Sequence, residues 1–196
     1  MDPLLIVCIT FFALLFLRVP VAIVLIVASL TGLLLSPHAI QIETLPTAMW
    51  QGVNHFVLLA VPFFILLGDL ALVSGVTIRL VNVARAFVGH IHGGFAHVTV
   101  LTNIVMAGMS GSDLADAAAT GKLLIPAMDK AGYPRAYAAS VVAGAAMIAP
   151  LIPPSIAFIL FAAATEESVG RLFLGGAVPG LLLGLLMMVQ AYVVAR

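Results

Sequence analysis

The chain begins with a long apolar stretch that carries very little charge. Residues 3–35 contain one charged side chain, Arg18. A continuous helix of that length would measure roughly 50 Å, well beyond the ~30 Å hydrocarbon core of a bilayer. Arg18 and Pro20 provide a break, because proline disfavours helix at the residue before it and arginine prefers the membrane interface. The pattern therefore predicts two short membrane helices, over residues 3–17 and 21–35.

The composition extends this conclusion to the whole chain. Of 196 residues, 63% are hydrophobic and 8% are charged, whereas a soluble domain carries about 25% charged residues. We therefore predict an all-α polytopic membrane protein that lies in the lipid bilayer. Basic and acidic residues number eight each, so no basic surface suggests nucleic acid as a partner. The single cysteine, Cys8, is interpreted as a small hydrophobe.

Further apolar segments follow, separated by polar or proline-rich breaks. The predicted elements are an interfacial helix within residues 36–54 that contains Gln41, Glu43 and Trp50, a span over 56–73 interrupted by Pro62, a surface helix over 78–88, two arms over 95–109 and 113–128, a broken span over 136–164 and a last span over 172–195. In the last span, glycines at 176, 180 and 184 predict a helix-packing face.

The two arms favour a re-entrant helical hairpin over two full spans. Each arm has about 15 residues and would measure ~22 Å, which barely reaches across a bilayer. When successive loops are placed on alternating sides of the membrane, the lysines and arginines lie mostly on the cytoplasmic side, as the positive-inside rule requires. This topology places the N-terminus and Glu43 outside. Arg171 is the exception among the loop cations. We divide the chain into a scaffold-like region (1–90), a hairpin and broken-helix region (91–170) and a final span (171–196).

Polar residues at membrane depth are the functional candidates, and the first cluster lies between the two arms. It consists of Ser110, Gly111, Ser112 and Asp113, with Asp116 one turn later. Ser110 and Asp113 have the spacing of a capping box, so capping of the second arm is one interpretation. The other is binding, because amides at a helix start attract anions and hydroxyl or carbonyl oxygens bind a hard cation. The two interpretations are compatible.

The second cluster is the proline-rich break in the span over 136–164. Pro150, Pro153 and Pro154 have no amide hydrogen, so the carbonyls of Ala146, Ala149 and Pro150 would lose their helical partners. Sodium suits such carbonyls, since irregular backbone at this depth is tolerated where protein or a cavity surrounds it. A simple kink, with the carbonyls bonded to water or to serines, is the alternative.

Other polar residues give weaker signals. Asp69 is interpreted as a proton carrier or an interfacial anchor, and Lys122 is expected to reach the interface or to pair with a carboxylate such as Asp116. The sequence contains no motif of a protease, hydrolase or nucleotide-binding enzyme, so we do not predict an enzyme. We expect no metal or cofactor other than sodium.

Several motifs, in this order and spacing, resemble the large membrane subunit of tripartite ATP-independent periplasmic (TRAP) transporters. The motifs are SGSDLAD (110–116), GKLLIPAM (121–128), GY (132–133) and APLIPPS (149–155), with RVPVA (18–22) and VPFFI (61–65) nearer the start. The resemblance implies a sodium-driven secondary importer of dicarboxylates, sugar acids or other organic anions in the bacterial cytoplasmic (inner) membrane. It further implies an elevator mechanism, with one re-entrant hairpin in each of two inverted repeats.

The resemblance also implies site residues and partners. The implied sodium ligands are Ser110, Gly111, Ser112, Asp113, Ala149, Pro150, Ile152 and Pro153. The implied substrate contacts are Ser112, Asp116, Asn103, Pro154 and Ser155. The implied partners are a small membrane subunit and a periplasmic substrate-binding protein.

The chain is about half as long as the family's large subunit. We therefore expect it to represent the first inverted repeat, without the second half of the subunit, as a fragment, a truncated product or one part of a split subunit. Two alternatives stay open: another ion-coupled anion carrier with re-entrant hairpins, and a membrane scaffold or remnant that transports nothing.

Overall fold

The computed structural model describes residues 3–35 and 44–196, and these residues form ten α-helices. The helices are α1 (Pro3–Phe16), α2 (Val21–Leu35), α3 (Thr44–Val53), α4 (Ala60–Val73), α5 (Val76–Val88), α6 (Gly94–Ser110), α7 (Asp113–Lys130), α8 (Arg135–Ala146), α9 (Ile156–Thr165) and α10 (Val169–Val194). A short 3₁₀ turn, Phe56–Leu59, leads into α4. The prediction of an all-helical chain is confirmed for these residues.

The predicted breaks in the first apolar stretch and in the proline-rich span are confirmed. Helix α1 ends at Phe16 and α2 begins at Val21, with Arg18 in a left-handed conformation at φ 59°. Helix α8 ends at Ala146 and α9 begins at Ile156. Proline residues identified both breaks because they cannot continue a helical hydrogen-bond ladder.

The predicted interruption at Pro62 is wrong. Pro62 lies in the first turn of α4, where its missing amide hydrogen has no intrahelical acceptor to lose. The change in geometry comes earlier, where the 3₁₀ turn ends at Leu59. Within the described residues, two helical segments are long and apolar enough to cross a membrane: Phe56–Val73 and Val169–Val194.

The interfacial helix predicted within residues 36–54 is described only in its second half. Helix α3 covers Thr44–Val53, and Trp50 on it is exposed. Gln41 and Glu43, with the rest of 36–43, lie outside the described residues, as does the side of the membrane predicted for Glu43.

The chain divides into two compact units, of which the first contains α1 to α3. Helices α1 and α2 pack against each other. Val24 and Ala28 of α2 are buried, and Gly32 continues this line at four-residue spacing. A Cβ at Gly32 would lie 3.1 Å from Val7 Cγ2 of α1. The two helices are therefore held together by close apolar packing along one line of α2.

The second unit contains α4 to α10, with its core around α6. One apolar cluster joins α5, α6 and α7 through Val81, Val98 and Leu124. The amphipathic α5 contributes to it because Thr77, Val81 and Ala84 are buried on one face. A second cluster joins α6 to the end of α8 through Val100, Ala145 and Ile148.

The predicted packing face of α10 is confirmed. Gly176, Gly180 and Gly184 are all buried. A Cβ at Gly180 would lie 2.8 Å from Ile152 Cγ1, and one at Gly184 would lie 2.6 Å from Ile104 Cδ1. The absence of side chains at these positions therefore lets α10 lie directly against α6 and the break between α8 and α9.

The two arms of the hairpin are longer than predicted. Helix α6 has 17 residues and α7 has 18, which correspond to about 26 and 27 Å of helix. The predicted ends were wrong because helical geometry continues through the polar residues Ser110 and Lys130. The arms thus come close to the thickness of a hydrocarbon core, and their length alone does not distinguish a re-entrant hairpin from two spans.

Candidate functional site

Side-chain hydrogen bonds fix the register of α6 against α7. Ser110 Oγ donates to Asp116 Oδ1 at 2.6 Å near the tip. Further from the tip, Asn103 Nδ2 lies 3.4 Å from Thr120 Oγ1. In each pair one residue lies before Gly111 and the other after it, and the second pair is further from Gly111 than the first. The arms are therefore antiparallel and form a helical hairpin with its tip at Gly111.

The tip is a tight turn made by one glycine. Gly111 has φ 58°, a left-handed conformation that glycine adopts without the steric penalty of a Cβ. It ends α6, and Ser112 then caps α7 by accepting a hydrogen bond from the amide of Ala115 at 3.4 Å. The capping role predicted for Ser110 is therefore wrong: Ser110 is the last residue of α6, and the turn at Gly111 makes Ser112 the cap.

Asp116 is a buried carboxylate just inside the tip. Its side chain is fully buried, and Oδ1 accepts the hydrogen bond from Ser110. Oδ2 is also buried and has no hydrogen-bond partner among the described residues. A buried acceptor without a partner is costly, so this oxygen is suited to a proton or a small cation.

The break between α8 and α9 leaves backbone carbonyls without partners, although fewer than predicted. The carbonyl of Ala146 accepts a hydrogen bond from the amide of Ala149 at 3.0 Å, so the prediction that it is free is wrong. The turn after α8 tightens to i→i+3 bonds and thereby satisfies this group. Within the described part of the chain, the carbonyls of Ala149 and Pro150 accept no hydrogen bond from the backbone.

The hairpin tip and the broken helix meet. A Cβ at Gly111 would lie 2.6 Å from the carbonyl oxygen of Pro154 and 3.2 Å from the amide nitrogen of Ile156. Ser155, fully buried, caps α9 by accepting a hydrogen bond from the amide of Phe158 at 3.3 Å. The capped N-terminal ends of α7 and α9 therefore converge at the tip, and both carry the partial positive charge of a helix start.

The structure brings some of the predicted site residues together and separates others. Those at the junction of tip and break are Ser110, Gly111, Ser112, Pro154 and Ser155. Asp113 is exposed and accepts a hydrogen bond from the neighbouring amide of Leu114. Ile152 packs against α10 at Gly180, and Pro153 approaches α6 at Gly108.

Asn103 lies away from the tip, between the two arms. It is fully buried, and its amide group bonds the carbonyl of Thr99 and the hydroxyl of Thr120. Thr120 also donates to the carbonyl of Asp116 at 2.6 Å. Asn103 therefore holds the hairpin together through both hydrogens of its amide nitrogen. Its Oδ1 lies 3.5 Å from Thr120 Oγ1, whose single hydrogen is donated to the carbonyl of Asp116.

Two contributors to the site were missed by the sequence analysis. Neither Thr120 nor Gly68 was singled out from the sequence. A Cβ at Gly68 would lie 3.5 Å from Ser110 Cα, so this glycine brings α4 against the tip. No local pattern could have identified either residue, because both contacts join segments distant in sequence.

Of the two possibilities for Lys122, pairing with Asp116 is wrong. Asp116 bonds Ser110, and Lys122 forms no ion pair with any residue in the described ranges. The two residues are six positions apart on α7 and lie on different faces of the helix. Lys122 faces a cavity instead, which is considered below.

Apolar helices, a broken helix and polar groups gathered where helices break are together typical of a membrane transport protein. The family model of the tripartite ATP-independent periplasmic transporter, DctM component, matches residues 8–196. The chain belongs to this family, so the resemblance seen in the motifs is confirmed.

Individual relatives agree with the family. Over 168 residues the chain is 47% identical to the C4-dicarboxylate TRAP transporter large permease protein DctM of Pseudomonas aeruginosa, a match that covers 86% of this chain and 39% of that protein. It is 40% identical over 183 residues to the sialic acid TRAP transporter large permease protein SiaM of Vibrio cholerae, covering 93% and 43%. It is 40% identical over 148 residues to the 2,3-diketo-L-gulonate TRAP transporter large permease protein YiaN of Escherichia coli, covering 76% and 35%.

These matches also define the extent of the chain. It spans about two fifths of the length of the relatives it matches. The relatives are named as transporter permeases and not as enzymes.

Proposed function

We propose that this chain is part of the multi-pass membrane permease of a sodium-coupled importer of organic anions in the bacterial cytoplasmic membrane. The relatives are named for a C4-dicarboxylate, sialic acid and 2,3-diketo-L-gulonate, all of which are carboxylic acids. The observation that carries the proposal is the contact of the hairpin tip with the broken helix, where two helix N-termini and a buried carboxylate lie together.

The cation side of the proposed site is built around Asp116. Its unpartnered Oδ2 is a buried oxygen that a sodium ion would satisfy. Ser110 donates a hydrogen bond to the other oxygen of the same carboxylate, Oδ1. The free carbonyls of Ala149 and Pro150 provide neutral oxygens in the neighbouring break. Carboxylate, hydroxyl and carbonyl oxygens are the ligands that hard cations prefer, so the residues present fit sodium.

The anion side is built from the converging helix starts. Backbone amides and the partial positive charge at the N-termini of α7 and α9 attract a carboxylate group. Ser112 and Ser155 contribute a hydroxyl each at these two ends. A buried carboxylate beside an anionic substrate would repel it, so we assign Asp116 to the cation and leave the substrate to the helix starts.

The proposal extends to topology and partners. We propose that α6 and α7 form a re-entrant hairpin and that residues 91–170 move as half of an elevator domain, with 1–90 as the scaffold side and 171–196 as a final span. A second repeat would supply the other half of the substrate pocket. A small membrane subunit and a periplasmic binding protein would complete the transporter.

The test is uptake of radiolabelled succinate by proteoliposomes that contain the complete transporter with this chain and its binding protein. Ser110→Ala removes a hydroxyl from the cation side. We expect the sodium concentration for half-maximal uptake to rise about tenfold, roughly 1.4 kcal/mol, because the cation loses one of its oxygen ligands. Ser140→Ala is the matched control, since Ser140 is exposed on α8 and bonds only the carbonyl of Tyr137.

Three results would contradict the proposal. A sodium dependence that is the same in Ser110→Ala and Ser140→Ala would remove the tip from the sodium site. Uptake that does not depend on sodium at all would favour another coupling ion, and the absence of any uptake by the complete transporter would favour a scaffold.

A further inference from the structure

A cavity of about 390 Å³ lies between α4, α5 and α7, outside the site described above. Its lining is mostly apolar and contains Leu72, Thr77, Ala118, Ala119, Lys122 and Leu123. The hairpin tip takes no part in it. Asp116 and Thr120 of α7 are hydrogen-bonded to α6 residues, whereas the face of α7 with Lys122 lies beside α5 and α4.

Lys122 brings an uncompensated positive charge to this cavity. The ion pairs formed within the described ranges are Arg135 with Asp129 and Arg171 with Glu167, so the ammonium group of Lys122 has no carboxylate partner there. Asp69, the nearest acidic residue along α4 to the cavity lining, is not paired with it. Lys122 also lies eight residues before Lys130, about 12 Å further along the helix towards the tip. Lys122 is itself exposed, so its ammonium group is available to an anion that enters the cavity.

Thr77 brings a hydroxyl group that is equally without a partner. The residue is 4% exposed, and its Oγ1 is buried with no hydrogen bond to any described residue. Threonine deeper in a helix can bond a carbonyl of the preceding turn, but Thr77 lies in the first turn of α5 and has no such carbonyl in its own helix. Its hydroxyl is therefore free to bond something that occupies the cavity.

The start of α5 adds backbone donors beside Thr77. Gly75, in a left-handed conformation at φ 76°, precedes the helix and supplies no side-chain cap. The amides of Val76, Thr77 and Ile78 belong to the first turn, where no intrahelical carbonyl is available to accept them. This end of α5 carries the partial positive charge of a helix start.

We propose that this cavity binds a small oxyanion, either a carboxylate or a phosphate group. Lys122 supplies the counter-charge, and the Thr77 hydroxyl and the first amides of α5 donate hydrogen bonds to the anion. The site goes beyond the proposed transport function, since it shares no residue with the hairpin tip. A free organic anion or inorganic phosphate would fit this chemistry, and so would the phosphate of an anionic lipid headgroup.

The chain has two lysines, Lys122 and Lys130, which makes the site accessible to NMR. The protein would be reductively methylated with ¹³C-formaldehyde in a phosphate-free detergent, and the two dimethyl-lysine signals would be assigned with Lys130→Arg. Succinate, inorganic phosphate or phosphatidylglycerol would be titrated in separate samples. Sodium chloride at equal ionic strength is the control for charge screening.

We expect a saturable shift of the Lys122 signal and none of the Lys130 signal. Thr77→Val, which keeps the shape of the side chain, should weaken binding about fivefold through loss of one hydrogen bond. Thr77→Ser retains the hydroxyl and should bind with the affinity of the unchanged protein. A response to succinate or phosphate identifies a site for free oxyanions, and a response to phosphatidylglycerol alone identifies a headgroup site.

Three results would overturn the inference. The first is a Lys122 signal that none of the three probes moves. The second is an equal response of Lys122 and Lys130, which is charge screening. The third is unchanged affinity in Thr77→Val. None of these measurements depends on transport, so the inference can fail while the proposed function stands.

Discussion

The chain contains two helical pairs of similar length, α1–α2 and α6–α7, and they are held together in different ways. In α1–α2 the side-chain hydroxyls bond carbonyls of their own helix, as Thr10 does to Ile6 and Thr31 does to Ala28. In α6–α7 such bonds within a helix also occur, but two further bonds cross between the arms, from Ser110 to Asp116 and from Asn103 to Thr120. The first pair thus depends on apolar packing, and the second has a polar interior.

The two pairs differ in how precisely their helices must be placed. Apolar packing is satisfied by many small adjustments of two helices in lipid, whereas crossing hydrogen bonds define one register. The turns sharpen the contrast because their backbone angles are nearly equal, with φ 59° at Arg18 and φ 58° at Gly111. The turn of α1–α2 accepts a large side chain in this conformation, and the turn of α6–α7 has no room for one.

The largest effect is expected from adding a side chain at Gly111. Gly111→Val introduces a β-branched residue at positive φ and a Cβ that would meet the carbonyl of Pro154. We expect a loss of about 3 kcal/mol or more in stability, from the backbone strain and the overlap together. Thermal unfolding in detergent, followed by circular dichroism, would measure it.

Arg18→Gly is the matched variant in the other pair. It relieves a left-handed conformation in a residue with a side chain and should stabilise α1–α2 by at most about 1 kcal/mol. Similar destabilisation by both variants would show that the two turns do not differ in the way described.

A smaller effect on binding is expected from Asp116→Asn. The asparagine keeps the size of the side chain and can still accept the bond from Ser110, but it lacks the negative charge that would attract a cation. We expect apparent sodium affinity to fall about 100-fold, a loss of roughly 2.7 kcal/mol. The readout is the sodium dependence of succinate uptake by the complete transporter.

Asp113→Asn is the control for the loss of one negative charge near the tip. Asp113 is exposed and bonds only a neighbouring amide, so its sodium dependence should change little. If Asp113→Asn shifts sodium affinity as far as Asp116→Asn does, the effect is general electrostatics and the assignment of Asp116 is wrong.

The smallest effect is the coupling between the arms. A double-mutant cycle of Asn103→Leu and Thr120→Val should give an interaction energy of about 0.6 kcal/mol, the average for polar contacts between membrane helices. Equilibrium unfolding in mixed micelles is the measurement. Thr10→Val with Thr31→Val in α1–α2 should give none, because these hydroxyls bond their own helices. Equal interaction energies in both pairs would show that α6–α7 is not held together by crossing hydrogen bonds any more than α1–α2 is.

The sequence predicted breaks better than contacts. The turn at Arg18 and the break between α8 and α9 were found because proline cannot continue a helix, and this is a local property. The free carbonyls of Ala149 and Pro150 followed from the same rule, but that of Ala146 did not. The turn after α8 shortens its hydrogen bonds to keep Ala146 satisfied, and a sequence gives no sign of such a change.

The candidate site was predicted by residue type, and its internal geometry was not. Ser110 and Ser112 were both identified, yet which of them caps α7 depends on the backbone turn at Gly111. Thr120 was missed because its partner lies 17 residues away on the other arm. Pairing of Lys122 with Asp116 was one of two possibilities for this lysine, and it does not occur because the two residues lie on different faces of α7.

The hydrogen bonds of the three serines at the tip and the break determine which hydroxyls still have a hydrogen to donate. Ser110 donates its hydrogen to Asp116 and accepts one from the amide of Ser112, so only a lone pair remains to face a ligand. Ser112 and Ser155 accept from backbone amides, and within the described chain their own hydrogens are not used. The polarity of the hydroxyls therefore separates neighbouring serines into one that can face only a positive or protonated ligand and two that can still donate to a carboxylate.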